Sequence, residues 1–356
     1  MKKAYFIGLD AHKQTCEFAV VRENGRLVQR VSCRTAIDQL AAFLQTVPRP
    51  RYLVLEEGPM ADWLWRNLGG FVDDITVCDP YRNHLIAKAG DKDDAIDAEK
   101  LAQLLRGGYV KAVHHPESLE QALFKQHVLL YHDRVRHRVA EGHRVSCLLR
   151  RHGVMVGART FGNADKRSAI LEQLPASSML REDVALLWQG VDAAAAQESA
   201  LRRRLQQYGR NNDVMRRFTE LPGIGWVRAA TLYVFLDTPW RFKSKAALWK
   251  YLGIGLERRG SGAGPELLQV PKRVNRLLKS TILSAAKTAA ALEDNNPFAV
   301  LYRRYIEAGL TKRLARRSVA RSLAATLWGL WKNGSAYRPE WVGVSAAAMP
   351  AAEVSV

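Results

Sequence analysis

Residues 5–10 read YFIGLD, residues 52–57 read YLVLEE, and residues 91–105 read DKDDAIDAEKLAQLL. The first two are short apolar runs carrying an acid at their ends, Asp10 and Glu56, the pattern of a buried strand reaching a sheet rim. The third places acids at helical spacing ahead of an apolar stripe. Asp94 and Asp97 lie three apart on that predicted helix and share a face. Four carboxylates gathered at one rim cannot all keep their charge unaided. They raise their pKa values or bind hard cations such as Mg²⁺, and two-metal phosphodiester chemistry uses oxygen sites of this kind. Two ambiguities stay open. Asp91 and Asp93 compete with Asp94 for the place beside Asp97, and Asp91 also reads as a helix N-cap. Glu57 competes with Glu56, and strand alternation lets only one of them face the site.

Working outward, CEFAVVRE (residues 16–23) and GRLVQRVSC (25–33) read as strands joined through Asn24-Gly25, a hairpin signal. AIDQLAAFLQTV (36–47) reads as a helix before YLVLEE, ADWLWRNL (61–68) as another, and DITVCDP (74–80) as a strand. Three antiparallel strands followed by helix, strand, helix, strand is the order expected of a ribonuclease H-like α/β domain. A fold analogy does not establish function; the acids at the strand ends add to it.

The chain has 356 residues and a formal net charge of +19, with 54 Lys and Arg against 35 Asp and Glu. A chain of this length holds two or three domains, and so basic a balance points to a polyanionic partner, above all nucleic acid. No run of about 18 apolar residues exists to span a bilayer, which argues against a membrane protein. The N-terminus MKKAYFIGLDAHKQ begins like a signal peptide, but its apolar stretch is too short and meets Asp10 at once. Cys16, Cys33, Cys78 and Cys147 are scattered, without CxxC or Cys/His zinc spacing. The expectation is a reduced, cytoplasmic compartment and no structural zinc.

Residues 118–208 read as helical, basic and elongated. Val184, Leu187, Val191, Ala194, Glu198, Leu201, Leu205 and Tyr208 alternate three and four apart, a heptad seam interrupted by Glu198. A coiled-coil hairpin with an earlier helix through Phe124, Val128, Tyr131, Val135 and Val139 accounts for the pattern, with residues 153–163 in the connection; an ordinary amphipathic helix is the plainer reading. The expected division is therefore 1–116, 117–210 and 211–342, with 343–356 a disordered tail. In the third part, Gly223 and Gly225 of LPGIG lie between two helical stretches, like the hairpin of helix-hairpin-helix DNA-binding elements; a plain helix–helix turn is the alternative. Arg258 and Arg259 precede Ser261 in a glycine-rich stretch that is either a loop or the seat of a serine nucleophile. Lys272, Arg273, Arg276 and Lys279 follow on a predicted helix, spaced as a phosphate-facing stripe or a solvated face. Trp240, Trp249 and Tyr251 are expected in the core, and His12 beside Asp10 as a supporting residue.

These residues together resemble the DEDD transposases of bacterial insertion sequences, a group of bridge-RNA-guided recombinases related to the Piv-type DNA invertases. GLDAHK, EEGP and DDAIDAEKLA correspond to the family's three acid motifs. LPGIGWVRAATL, RFKSKAALWKYLG and the Ser-Gly of GSGAG correspond to its second block, in the same order. The resemblance implies a RuvC-like N-terminal domain, a coiled-coil segment and a mostly helical C-terminal transposase domain. It implies that Asp10, Glu56, Asp94 and Asp97 bind Mg²⁺ or Mn²⁺ and that Ser261 attacks DNA. It also implies homo-oligomers, dimers or tetramers in which acids and serine come from different subunits, and an element-encoded RNA that pairs with donor and target DNA. The chain departs from the family at Glu266, an acidic residue near the Ser-Gly. A metal-dependent nuclease or junction resolvase without serine chemistry is the alternative reading.

Overall fold

The computed structural model describes residues 4–81, 94–116, 118–157, 160–175, 178–259, 267–271, 273–292, 296–340 and 342, with backbone alone at 94, 95, 258, 259, 267 and 268. It divides into two units, Met1–Pro116 and Glu117–Val356. The first is mixed α/β and the second mostly helical.

In the first unit β1 (Tyr5–Ala11), β2 (Thr15–Arg22), β3 (Leu27–Arg34), β4 (Arg51–Glu56) and β5 (Asp74–Cys78) form one sheet in the order β3-β2-β1-β4-β5. β1, β4 and β5 run parallel, and β2 is antiparallel to both its neighbours. The helices α1 (Ile37–Thr46) and α2 (Ala61–Leu68) fall where the sequence places them. The Asn24-Gly25 connection spans four residues rather than two, with Gly25 at φ +84° and the Asn24 side chain accepting the Arg26 amide at 3.1 Å.

Strand alternation sorts the two faces. Ile7, Leu9, Leu53 and Leu55 pack against Leu40, Leu44, Leu64 and Leu68 of α1 and α2. The other face belongs to α3 (Asp94–Arg106), whose Leu101 packs on Val54 and Cys78. Gly8 on β1 lies on that face too, and a Cβ there would stand 1.9 Å from the carbonyl oxygen of Ala98. Only glycine lets the helix settle so close. At the other end of α3, Gln103 donates to the Gly25 carbonyl at 2.8 Å and Arg106 to that of Glu23 at 3.3 Å. That loop follows Arg22, which pairs with Tyr5 at the start of β1. The helix therefore runs with its C-terminus over the start of β1 and its N-terminus toward Asp10.

In the second unit α4 (Leu119–Arg151) and α6 (Met179–Arg210) form an antiparallel hairpin, each roughly 50 Å long at 1.5 Å per residue. The short helix α5 (Ala164–Glu172) lies in their connection. Phe124 stacks on Tyr208 at 3.7 Å, and Arg138 meets Glu198 at 2.6 Å. The seam departs from the expected one in two ways: Val139 is exposed, and Trp188 is buried beside a half-buried Leu187 that packs against the same cluster. Between them Glu141 is buried and held by Arg144 and His137. Opposite stands Gly190, where an added Cβ would come within 3.8 Å of that carboxylate.

The hairpin base is continuous with the rest of the unit. Phe124, Val128, Tyr131, Leu201 and Leu205 share one core with α7 (Asp213–Thr219), α8 (Trp226–Leu236), α9 (Lys245–Tyr251), α10 (Arg276–Ala291), α11 (Pro297–Glu307) and α12 (Lys312–Asn333). A small antiparallel pair, β6 (Glu257–Arg259) and β7 (Leu267–Gln269), stands between α9 and α10. Among the described residues no helix is long and apolar enough to cross a membrane.

Candidate active site

The pleat that buries the sheet also aims the acids. The parallel register sets Leu9 beside Leu55, so the next residues, Asp10 and Glu56, stand at the same rim of adjacent strands. Gly8 and Val54 face α3, and alternation gives Asp10 and Glu56 that face as well. Glu56, and not Glu57, is thus the residue on the α3 side. Asp97 immediately precedes Ala98, whose carbonyl rests on Gly8, in the half of α3 directed to this rim. Its carboxylate is held by Lys100 at 3.0 Å, while that of Asp10 is met by Nε2 of His12 at 3.1 Å. Asp94 opens the helix, and its side chain, like Asp91 and Asp93 entirely, lies outside the described residues.

An all-carboxylate donor set suits a hard dication. Among the described residues no group of three or more His, Cys, Asp or Glu is close enough to hold a metal ion, and the Asp94 carboxylate is not among those described. Cys16 sits under the rim opposite Ala11. Burial pushes its thiol up, against hydrogen bonds to Thr35 and the His12 backbone, and the nearby charge of Asp10 adds to the rise. It stays a neutral thiol. Asp79, a rim acid the sequence reading passed over, follows β5; its carboxylate accepts the Tyr81 amide at 3.0 Å, and alternation after Cys78 turns it to the other face.

Comparison with known proteins decides the family. Residues 7–153 match a DEDD transposase profile of the IS110 type, and residues 215–303 match the Transposase IS116/IS110/IS902 family. The chain belongs to the IS110 family of DEDD transposases. It is 24% identical over 352 residues to the "Probable family 20 transposase" of Pseudomonas aeruginosa PAO1, covering 94% of this chain and 98% of that one. It is 25% identical over 346 residues to the "Putative transposase y4pF/y4sB" of Sinorhizobium fredii NGR234, covering 93% and 85%. A transposase cuts and rejoins DNA, so DNA is its substrate.

Asp10, Glu56, Asp94 and Asp97 fall in the first matched segment of this transposase; Gly223, Gly225, Ser261 and the basic stretch fall in the second. Gly223 takes φ +81°, and an added Cβ would stand 2.4 Å from the Ala285 carbonyl on α10. Its glycine is therefore required for helix packing. Gly225 caps α8 with open space around it, and Arg228 ties the turn by donating to the Gly223 carbonyl and to Thr288. Arg258 and Arg259 lie on β6, paired with Leu268 and Leu267. Ser261 lies in the segment joining β6 to β7, outside the described residues, as does Lys272.

Two expectations are corrected. Arg273 does not lie on the helix: α10 begins at Arg276, because Asn275 caps it by accepting the Leu278 amide at 3.1 Å. Arg276 and Lys279 are on its first turns. Trp240 is not core: it sits on a 3₁₀ turn and is 71% exposed. Its size and apolarity suggested burial, but the turn following α8 carries it outward. Trp249 and Tyr251 do pack against the core.

Proposed function

We propose that this transposase recombines DNA by serine attack, with Asp10, Glu56, Asp94 and Asp97 holding Mg²⁺ or Mn²⁺ at the rim of a RuvC-like domain. The observation that carries the reading is the common face of Asp10, Glu56 and the α3 N-terminal half at one sheet rim. The sheet order β3-β2-β1-β4-β5 supports the ribonuclease H-like fold behind it. When bound, the ion orients the scissile phosphate and stabilises charge developing on it. The protein's own residues do the rest. Oγ of Ser261 attacks phosphorus and loses its proton; the bond from phosphorus to the departing strand's oxygen breaks, and that oxygen takes up a proton. The phosphoserine link conserves bond energy for rejoining. His12 holds the Asp10 carboxylate in place.

Gly225, Arg258, Arg259, Lys272, Arg273, Arg276 and Lys279 bind nucleic acid in this reading, with Gly223 shaping the turn. The long hairpin serves as a coiled-coil arm of a homo-oligomer whose acids and serine come from different subunits. An element-encoded guide RNA pairs with donor and target DNA; a heteroduplex held by shape and backbone needs few base contacts from protein. The net charge of +19 supports two nucleic-acid partners. The setting is the bacterial cytoplasm, on the nucleoid.

The test is strand exchange in cells between element ends and a target. Asp10→Asn, Glu56→Gln and Ser261→Ala are each expected to lower it by roughly a thousandfold or more. Strand exchange that survives Ser261→Ala overturns the serine mechanism in favour of a metal-dependent nuclease.

A further inference from the structure

Residues 312–322 read KRLARRSVARS and form the first half of α12. One face of the helix, through Ala315, Val319, Ala320, Leu323, Leu327 and Leu330, is buried in the core. Beside it runs a flank of different chemistry: Arg313, Arg317 and Arg321 at four-residue steps, then Trp328 and Lys332. Steps of four are about 6 Å apart along the axis.

Among the described residues neither Arg313 nor Arg317 makes an ion pair, and Nε of Arg317 is buried without a hydrogen-bond partner. Burial pulls this guanidinium below its usual value, and the like charges of Arg313 and Arg321 pull it further. Holding a partly desolvated cation between two others costs free energy that an anion would recover. Arg321 marks where the row leads: its Nε donates at 2.9 Å to the carbonyl of Ile254, three residues before β6. At the other end Lys332 lies 4.1 Å from the ring of Trp328 and 5.0 Å from that of the exposed Trp240. Trp328 anchors the turn that carries Trp240 by donating to the Pro239 carbonyl at 2.7 Å.

Arginines at regular steps, followed about 22 Å further along the axis by an exposed ring at Lys332, offer a single nucleic-acid strand of several nucleotides charges for its phosphates and a ring for base stacking. We propose that this flank of α12, together with Trp240, is a track for one nucleic-acid strand, with phosphates on Arg313 and Arg317 and a base on Trp240. The proposal rests on the reading of the second unit as a nucleic-acid-handling half, and assigns that role to residues outside the basic stretch around Ser261.

The test is fluorescence anisotropy with the full chain and three labelled probes across a salt series: oligothymidylate, oligouridylate and a DNA duplex. The double variant Arg313→Gln/Arg317→Gln is expected to weaken both single-stranded probes and to flatten the logarithmic salt slope by about 1.4, roughly 0.7 per lost phosphate contact. Trp240→Ala is expected to weaken them about ten- to hundredfold, and Trp240→Phe to bind like the parent. Arg317→Lys, which keeps the charge, serves with a thermal melt to exclude misfolding. A folded double variant with parental affinity and slope overturns the track, as does weakening confined to the duplex. Asp10→Asn separates the two readings: it is expected to bind like the parent and fail in strand exchange whether or not the α12 variants bind.

Discussion

Gly8 has no side chain, and that lets the Ala98 turn of α3 rest on β1 two residues before Asp10. Gly8→Ala is expected to push the helix away, cost about 1–3 kcal/mol in urea unfolding and abolish strand exchange by separating Asp97 from Asp10 and Glu56. Gly70→Ala, with nothing within 4 Å of the new Cβ, is the comparison and is expected to stay within about 0.5 kcal/mol. Equal effects from the two would show that close packing at Gly8 does not set the rim. The strand-end positions of Asp10 and Glu56 were readable in the sequence because strand ends and alternation leave a visible pattern; that Glu56 and not Glu57 shares the α3 face follows from the pleat alone. Gly8 was not readable, since a strand glycine without its neighbour says only that something comes near. Asp91, Asp93 and Asp94 stay an open choice, as their side chains lie outside the described residues.

At the level of elements, the periodicities that predict helices place them well and say less about which side chain closes a seam. The expected seam through Val139 fails because two successive steps of four from Tyr131 carry it about 80° past two full turns of the helix, and the buried Glu141 takes over the inward position opposite Gly190. The basic run before α10 misled in another way. Charges at three- and four-residue spacing look helical, whereas Asn275 sets the true start. The hairpin base gives a pH prediction. His132 on α4 bonds to the Thr231 hydroxyl on α8 at 2.8 Å, and that hydroxyl gives its own proton to the Val227 carbonyl. Burial holds the His132 pKa below its usual value, and Arg136 lowers it further. The unfolded chain therefore binds a proton near pH 6.5 that the folded one refuses. Stability is expected to be full above that value and to fall as the pH drops through it toward the folded value. Denaturant unfolding from pH 7.5 to 5 checks this, with His132→Gln expected to flatten the slope; an unchanged slope would contradict it.

For the whole molecule, the excess of cations was legible from composition, but its layout was not. A net charge of +19 names a polyanion without saying which arginines are answered by carboxylates and which, like Arg313 and Arg317, meet none among the described residues. Trp240 shows the same limit from the apolar side, since residue type alone assigned it to the core and the turn after α8 exposes it. Family membership and the rim geometry both point to DNA cutting and rejoining, and the central claim is that the rim acids act with Ser261 on one phosphate. Mass spectrometry of the protein after reaction with element-end DNA tests it most directly. The account predicts a nucleotide-bearing adduct on the Ser261 peptide that requires Mg²⁺ and disappears in Asp10→Asn and Glu56→Gln. DNA cleavage with no adduct, persisting in Ser261→Ala, would contradict it.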